Sequence, residues 1–159
     1  MISNVAILGI SATAIFDIYL IFIQPRIFKT PFAGFALVGR WVGYFPKGKF
    51  AHQSLAGMAP VPHEQLLGWI VHYAVGMAFA DILLMVWPGW LAAPTLGPAM
   101  MIGIASAAAP FCLMQPAFGS GFFASRTSNP GQVRLRTLVS HMVFGLSLAA
   151  AGLLMAAIL

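Results

Sequence analysis

Asp17, His72, Cys112, Gln115 and His141 can exchange protons, form hydrogen bonds or ligate a metal, and they stand inside otherwise apolar stretches. Counted from the charged residues that bound those stretches, Asp17 lies nine positions before Arg26, His72 eight after Glu64 and His141 five after Arg136. At the helical rise these are depths of roughly 7–14 Å. Cys112 and Gln115 fall in the same layer. Ionisable groups are costly in hydrocarbon, so a shared depth on different helices points to one ligand site rather than to scattered packing residues. Each residue also has an ordinary account. Asp17 can be a protonated or hydrogen-bonded packing group, and either histidine can bond a facing hydroxyl, amide or carbonyl. Gln115 can be interhelical glue, and Cys112 a small apolar residue.

The elements that must carry these groups are four apolar stretches, residues 3–24, 66–87, 95–115 and 137–159. Each can cross about 30 Å of hydrocarbon as a helix. With 60% hydrophobic residues, 7% charged residues and a mean hydropathy of +0.92, the composition excludes an ordinary water-soluble domain. The expected fold is therefore an all-α integral membrane protein, a single domain of four transmembrane helices. All eight basic residues fall in or beside loops 25–63 and 116–136, which the positive-inside rule makes cytoplasmic, leaving both termini outside. The net charge of +5 then faces anionic lipid, and no nucleic-acid surface is implied. The first stretch lacks a basic start and contains Asp17, so it reads as a retained helix rather than a cleaved signal. A single cysteine permits no intramolecular disulfide.

Loop 25–63 is too aromatic for a floppy linker. Thr30-Pro31 reads as an N-cap with proline at the first helical position, opening a short interfacial helix that carries Trp41 and Tyr44 at headgroup depth. Pro62 then opens the second span, with Glu64 in its first turn. Arg40 between Gly39 and Trp41 can meet a phosphate or a carboxylate, and Glu64 can pair with it. The plainer account makes Arg40, His52, His63 and Glu64 interface anchors and a helix-start acid. Asp81 belongs near the opposite interface. No nucleophile elbow, phosphate-binding glycine loop, zinc spacing or kinase motif occurs.

The halves echo one another. Ser11-Ala-Thr-Ala-Ile-Phe-Asp17 parallels Ser106-Ala-Ala-Ala-Pro-Phe-Cys112, and each leads to a Gln-Pro, at Gln24-Pro25 and Gln115-Pro116. His72-Tyr-Ala-Val-Gly76 parallels His141-Met-Val-Phe-Gly145. Two parallel helix hairpins related by an axis along the membrane normal are the expectation. Glu64, Gly68, His72, Gly76 and Ala80 recur every fourth residue, as do His141, Gly145 and Ala149. Small residues on the histidine face admit either a close helix or a flat ligand.

At Ala36-Leu-Val-Gly-Arg-Trp41, Gly68-Trp-Ile-Val-His-Tyr73, Pro94-Thr-Leu96, Phe111-Cys-Leu-Met-Gln-Pro116, Ala124-Ser-Arg-Thr127 and His141-Met-Val-Phe-Gly145, the chain closely resembles a family of bacterial membrane proteins catalogued as domain of unknown function number 2938. The resemblance covers nearly the whole chain and implies four helices in a bacterial inner membrane. It implies no activity, substrate or catalytic residue. The family pattern has an ordinary apolar residue where Cys112 stands, so no thiolate chemistry follows from it.

The favoured reading is a small binding or transport protein with its polar site in the cytoplasmic half, built from Asp17, His72 and His141 with Gln115 and Cys112. Its ligand is unknown, and a homo-oligomer is expected if a solute crosses. Three alternatives belong to other classes. A haem between His72 and His141, with Arg126 or Arg136 at its propionates, would make an electron carrier. His72 with Asp17 as acid and base would make a lipid- or isoprenoid-modifying enzyme assisted by Arg40. The chain could equally serve as an accessory subunit of a larger membrane complex.

Overall fold

Two Gln-Pro steps set the shape of the first and third apolar helices. In the computed structural model, which describes residues 2–158, helix α1 (Ile2–Ile18) passes into a π-helical turn at Tyr19–Ile23 and continues as α2 (Gln24–Phe28). Helix α3 (Ala36–Gly43) and the long α4 (Glu64–Val86) follow. Helix α5 (Leu96–Ser106) is succeeded by a second π-helical turn, Ala109–Met114, and by the short α6 (Gln115–Ala117). Helix α7 (Pro130–Ile158) ends the described chain, and no strand occurs among the described residues. Among the described residues four runs are long and apolar enough to cross a membrane: Ser3–Phe28, Glu64–Val86, Leu96–Ala117 and Pro130–Ile158.

A proline ring inside a helix collides with the carbonyl four residues back, and widening the preceding turn relieves the collision. Both π turns stand immediately before a Gln-Pro. The Gln24 N–H bonds to the Tyr19 carbonyl and the Gln115 N–H to the Pro110 carbonyl, each five residues back. Pro25 therefore does not end the first helix, which runs four residues past residue 24 to a left-handed Lys29 with φ 51°.

The fourth helix starts seven residues before the expected apolar span. Arg134 and Arg136 lower the local hydropathy, but Pro130 sits at the first helical position and the Asn129 side chain accepts the Gln132 N–H at 3.2 Å. Leu159, the last residue of that expected span, lies outside the described residues. The expected helix in the first loop is present as α3, but its cap is not Thr30. Gly34 takes φ 69°, which breaks a right-handed helix, so α3 opens after Phe35 while the Thr30 hydroxyl donates to the Phe28 carbonyl at 3.1 Å.

The chain divides into two compact units. The first comprises Met1–Phe32, Tyr73–Ser106 and Leu138–Leu159. Leu8, Leu83 and Leu148 are fully buried in it. In hydrocarbon, apolar burial gives little drive for helix association, so close backbone approach and polar contacts must supply it. The sequence provides both. Going down α1 and up α4, Gly9 meets Met77, Thr13 meets Gly76 and Asp17 meets Tyr73, which is an antiparallel register. Gly103 of α5 likewise abuts Gly145 of α7, and Ser106 reaches His141.

A Cβ added at Gly76 would lie 2.0 Å from the Thr13 hydroxyl oxygen, and Thr13 is fully buried. Gly76→Ala is therefore expected to cost about 1–3 kcal/mol through overpacking. Adding Thr13→Ala removes the clashing oxygen, so the double variant should recover most of that loss in a detergent unfolding titration. Additive losses would place the strain elsewhere.

The second unit comprises Ala33–His72 and Ala107–Thr137. Here α3 packs on the start of α4 with almost no gap. A Cβ at Gly39 would fall 1.8 Å from the Glu64 carbonyl oxygen, and one at Gly68 would fall 2.0 Å from that of Phe35. Backbone bonds from His52 to Ala117 and from Leu55 to Phe118, at 2.9 and 3.1 Å, tie the loop after α3 to the segment after α6.

Candidate functional site

Within the first unit, Asp17 is 8% exposed and accepts a hydrogen bond from the Tyr73 hydroxyl at 2.8 Å. Its place on α1 is fixed by the glycine contact one turn earlier, where Thr13 lies against Gly76. Tyr73 was not singled out in the sequence, although it follows His72 directly. A hydrogen bond to the carboxylate lets its protonation be read locally: the ionised form accepts from tyrosine, and the neutral form can donate in its turn.

His141 approaches Ser106, with Nδ1 and Oγ 2.6 Å apart. The serine hydroxyl has one proton and donates it to the Gly103 carbonyl, also at 2.6 Å. His141 must then supply the proton of its own contact. This assigns the Nδ1–H tautomer to the neutral ring and leaves Nε2 as its basic atom. Ser106 is 1% exposed, so water does not compete for this arrangement.

A third polar contact lies beside these two. Gln24 Nε2 donates to the Ser140 hydroxyl at 2.8 Å, and both residues are buried. Phe16 meets Phe144 edge-on with ring centroids 5.7 Å apart. The two contacts set the register of α1 and α2 against α7, and Asp17 and His141 both fall between them. The Thr13 and Tyr19 hydroxyl oxygens are buried without a hydrogen-bond partner. Tyr19 opens the first π turn, two residues after Asp17. The unit thus holds an acid, a base and two unsatisfied hydroxyls inside apolar helices.

The remaining sequence candidates belong to the second unit. The His72 ring stacks on Phe35 with centroids 4.0 Å apart and 20° between planes, and Trp69 meets it edge-on. Gln115 donates to the Thr137 hydroxyl at 3.4 Å, a long bond, and its Oε1 is buried without a partner. Cys112 is exposed. His63 is exposed at the entry of α4 with φ 56°. The His52 ring lies against Tyr44, and its Nε2 is buried without a partner.

Arg40 and Glu64 do pair, through two bonds of 2.8 Å from Nε and Nη2 to the two carboxylate oxygens. Nη1 spans the Leu55, Ala56 and Met58 carbonyls at 3.4, 3.2 and 2.9 Å. Glu64 also accepts the Val61 N–H at 3.1 Å, and the Tyr44 hydroxyl donates to the Ala59 carbonyl at 2.9 Å. The hydrogen bond to Glu64 holds the Arg40 guanidinium above its ordinary value, against the opposing effect of burial. This cluster organises loop 55–61 and is fully engaged in doing so.

Among the described residues no group of three or more His, Cys, Asp and Glu side chains is arranged to hold a metal ion. The glycines that a flat macrocycle would have lain against are each covered by their own unit. Gly68 faces the Phe35 carbonyl, Gly76 faces Thr13, and Gly145 faces Ala99 and Met100.

Residues 6–155 of the chain match a family described as "Protein of unknown function (DUF2938)". No curated protein and no solved structure matches the chain.

Proposed function

The chain belongs to the DUF2938 family, and we propose that it is a small membrane-embedded binding or transport protein in which Asp17 and His141 exchange protons with water and with a bound polar solute. The observation that carries this reading is the pairing of Asp17 with Tyr73 and of His141 with Ser106, in one unit and in one stretch of helix register. An intramembrane acid with a hydroxyl donor, in the same unit as a base whose free nitrogen is fixed by tautomer, is the equipment of a proton-coupled site. The π turn after Asp17 supports it, because such turns concentrate at functional positions. The covered glycines weigh against a haem. The paired π turns before Gln24-Pro25 and Gln115-Pro116 support an internal repeat of two hairpins.

In this reading the chain sits in a bacterial inner membrane, as the family resemblance implies, with both termini outside, as the charges of the two basic loops predict. Reporter fusions at Gly48 and Leu159 should report opposite compartments, Gly48 inside. A cytoplasmic Leu159 reporter would invert the assignment. A homo-oligomer is part of this reading if a solute crosses, since one protomer of this size encloses little more than its own core.

The functional test uses the proton as probe. The full chain, reconstituted in liposomes that enclose a pH-sensitive dye, should acidify the lumen under an inside-negative potassium diffusion potential faster than protein-free vesicles do. Equal rates would remove the proposed proton exchange.

A further inference from the structure

The loop between α6 and α7 gathers cationic and aromatic side chains that the proposed proton site does not use. Gly121 takes φ 74°, and Phe123 and Ala124 follow at φ 50° and 56°, two adjacent non-glycine residues in the left-handed region. Such a conformation is strained for a residue with a Cβ and persists only where surrounding contacts impose it. Three contacts do so. Arg134 Nε donates to the Phe123 carbonyl at 2.7 Å. The Arg126 N–H donates to the Ser120 carbonyl at 2.9 Å. The Arg126 stem folds over Gly121, where an added Cβ would lie 3.0 Å from Cγ and 3.4 Å from Cδ.

The turn therefore brings two guanidinium groups to one short stretch of backbone. Neither Arg126 nor Arg134 takes a carboxylate partner among the described residues, and the whole chain has only three acids to set against eight basic residues. With Nε of Arg134 committed to a carbonyl, its Nη groups remain for a bidentate anion, the geometry that phosphate oxygens match.

The depth of the loop is set by its aromatic residues. Phe123 stacks on Phe111 with centroids 4.8 Å apart and 19° between planes. Phe111 lies six residues inside the end of the span Leu96–Ala117, about 9 Å at the helical rise. Phe122 beside it is 63% exposed and Phe123 is 46% exposed. Exposed aromatic rings at the depth of a span's last turns meet acyl chains, while the guanidinium groups on the same backbone meet the headgroup layer.

We propose that loop 121–126 together with Arg134 binds the phosphodiester of one anionic phospholipid, with Phe122 and Phe123 against its acyl chains. A free phosphate offers the same oxygens to the arginines but leaves the two rings uncovered.

The test is a lipid titration of the full chain in detergent micelles, read by native mass spectrometry. Phosphatidylglycerol should bind at least about tenfold more tightly than phosphatidylcholine of the same chains, a difference of about 1.4 kcal/mol. Arg126→Gln with Arg134→Gln should erase the preference, whereas Lys47→Gln with Lys49→Gln, an equal loss of charge, should leave it. Excess glycerol phosphate should not displace the lipid. Arg134→Lys, which keeps the charge but not the fork, should retain the fold and weaken the preference. The wild-type comparison needs no variant, so equal binding of the two lipids overturns the proposal by itself. So do a preference that survives loss of both arginines, an equal loss in the lysine control, and displacement by glycerol phosphate.

Discussion

Arg40→Ala is expected to destabilise the protein by about 2–3 kcal/mol, less than the about 3–5 kcal/mol for removing one partner of a fully buried ion pair. An exposed pair would cost only about 0.2–1 kcal/mol. The side chains place this pair between the two cases, since Arg40 and Glu64 are 12% and 17% exposed. Alanine also strips donors from the Leu55, Ala56 and Met58 carbonyls. Arg40→Lys should recover little, because an ammonium cannot engage both carboxylate oxygens and three carbonyls at once. Arg40→Met with Glu64→Gln should cost less than Arg40→Ala alone, since no charge is then left without its partner. Unfolding in detergent reads all three variants. Hydrogen exchange at residues 55–61 should rise in Arg40→Ala before the spans open. A loss below about 1 kcal/mol would reduce the pair to a surface contact.

Asp17→Asn is expected to abolish proton uptake into proteoliposomes while changing stability by less than about 1 kcal/mol. The amide oxygen still accepts from Tyr73, and an interhelical hydrogen bond in a bilayer averages about 0.6 kcal/mol in any case. Asparagine cannot take or release a proton near neutral pH, so only the exchange is lost. Tyr73→Phe removes the hydroxyl and keeps the carboxyl, so uptake should slow without vanishing. This order, with asparagine worse than phenylalanine for uptake and neither severe for folding, separates a working acid from a packing group. Uptake by Asp17→Asn at the wild-type rate would return Asp17 to the interior as a hydrogen-bonded packing residue.

Hydropathy and charge were enough to find the four membrane-length helices and the two basic loops, because both properties are sums over neighbours along the chain. Proline in the sequence pointed to helix ends, but Pro25 and Pro116 sit within continuous helical runs, because the π turns before them move the obstructing carbonyl away. Thr30-Pro31 matched a helix start in type, and the left-handed Gly34 three residues later forbade it. The Arg40–Glu64 pair was visible as a possibility. Its reach to three loop carbonyls was not, since those contacts span up to 18 residues and depend on how loop 55–61 folds back. Counting residues gave Asp17 and His141 an expected depth. It did not give Tyr73 or Ser106 as their partners, because rotation about the helix axis, fixed by the Thr13–Gly76 and Gly103–Gly145 contacts, decides which side chains meet.

The most direct measurement of the central claim is the infrared spectrum of the reconstituted protein, taken across about pH 4–10, the range that spans ordinary carboxyl and imidazole titration. If Asp17 exchanges protons with the aqueous phase, a protonated-carboxyl band should appear as the pH falls and shift in heavy water, and it should be missing from Asp17→Asn. A carboxyl signal that ignores bulk pH and does not exchange its proton would show a sealed packing group and contradict the account.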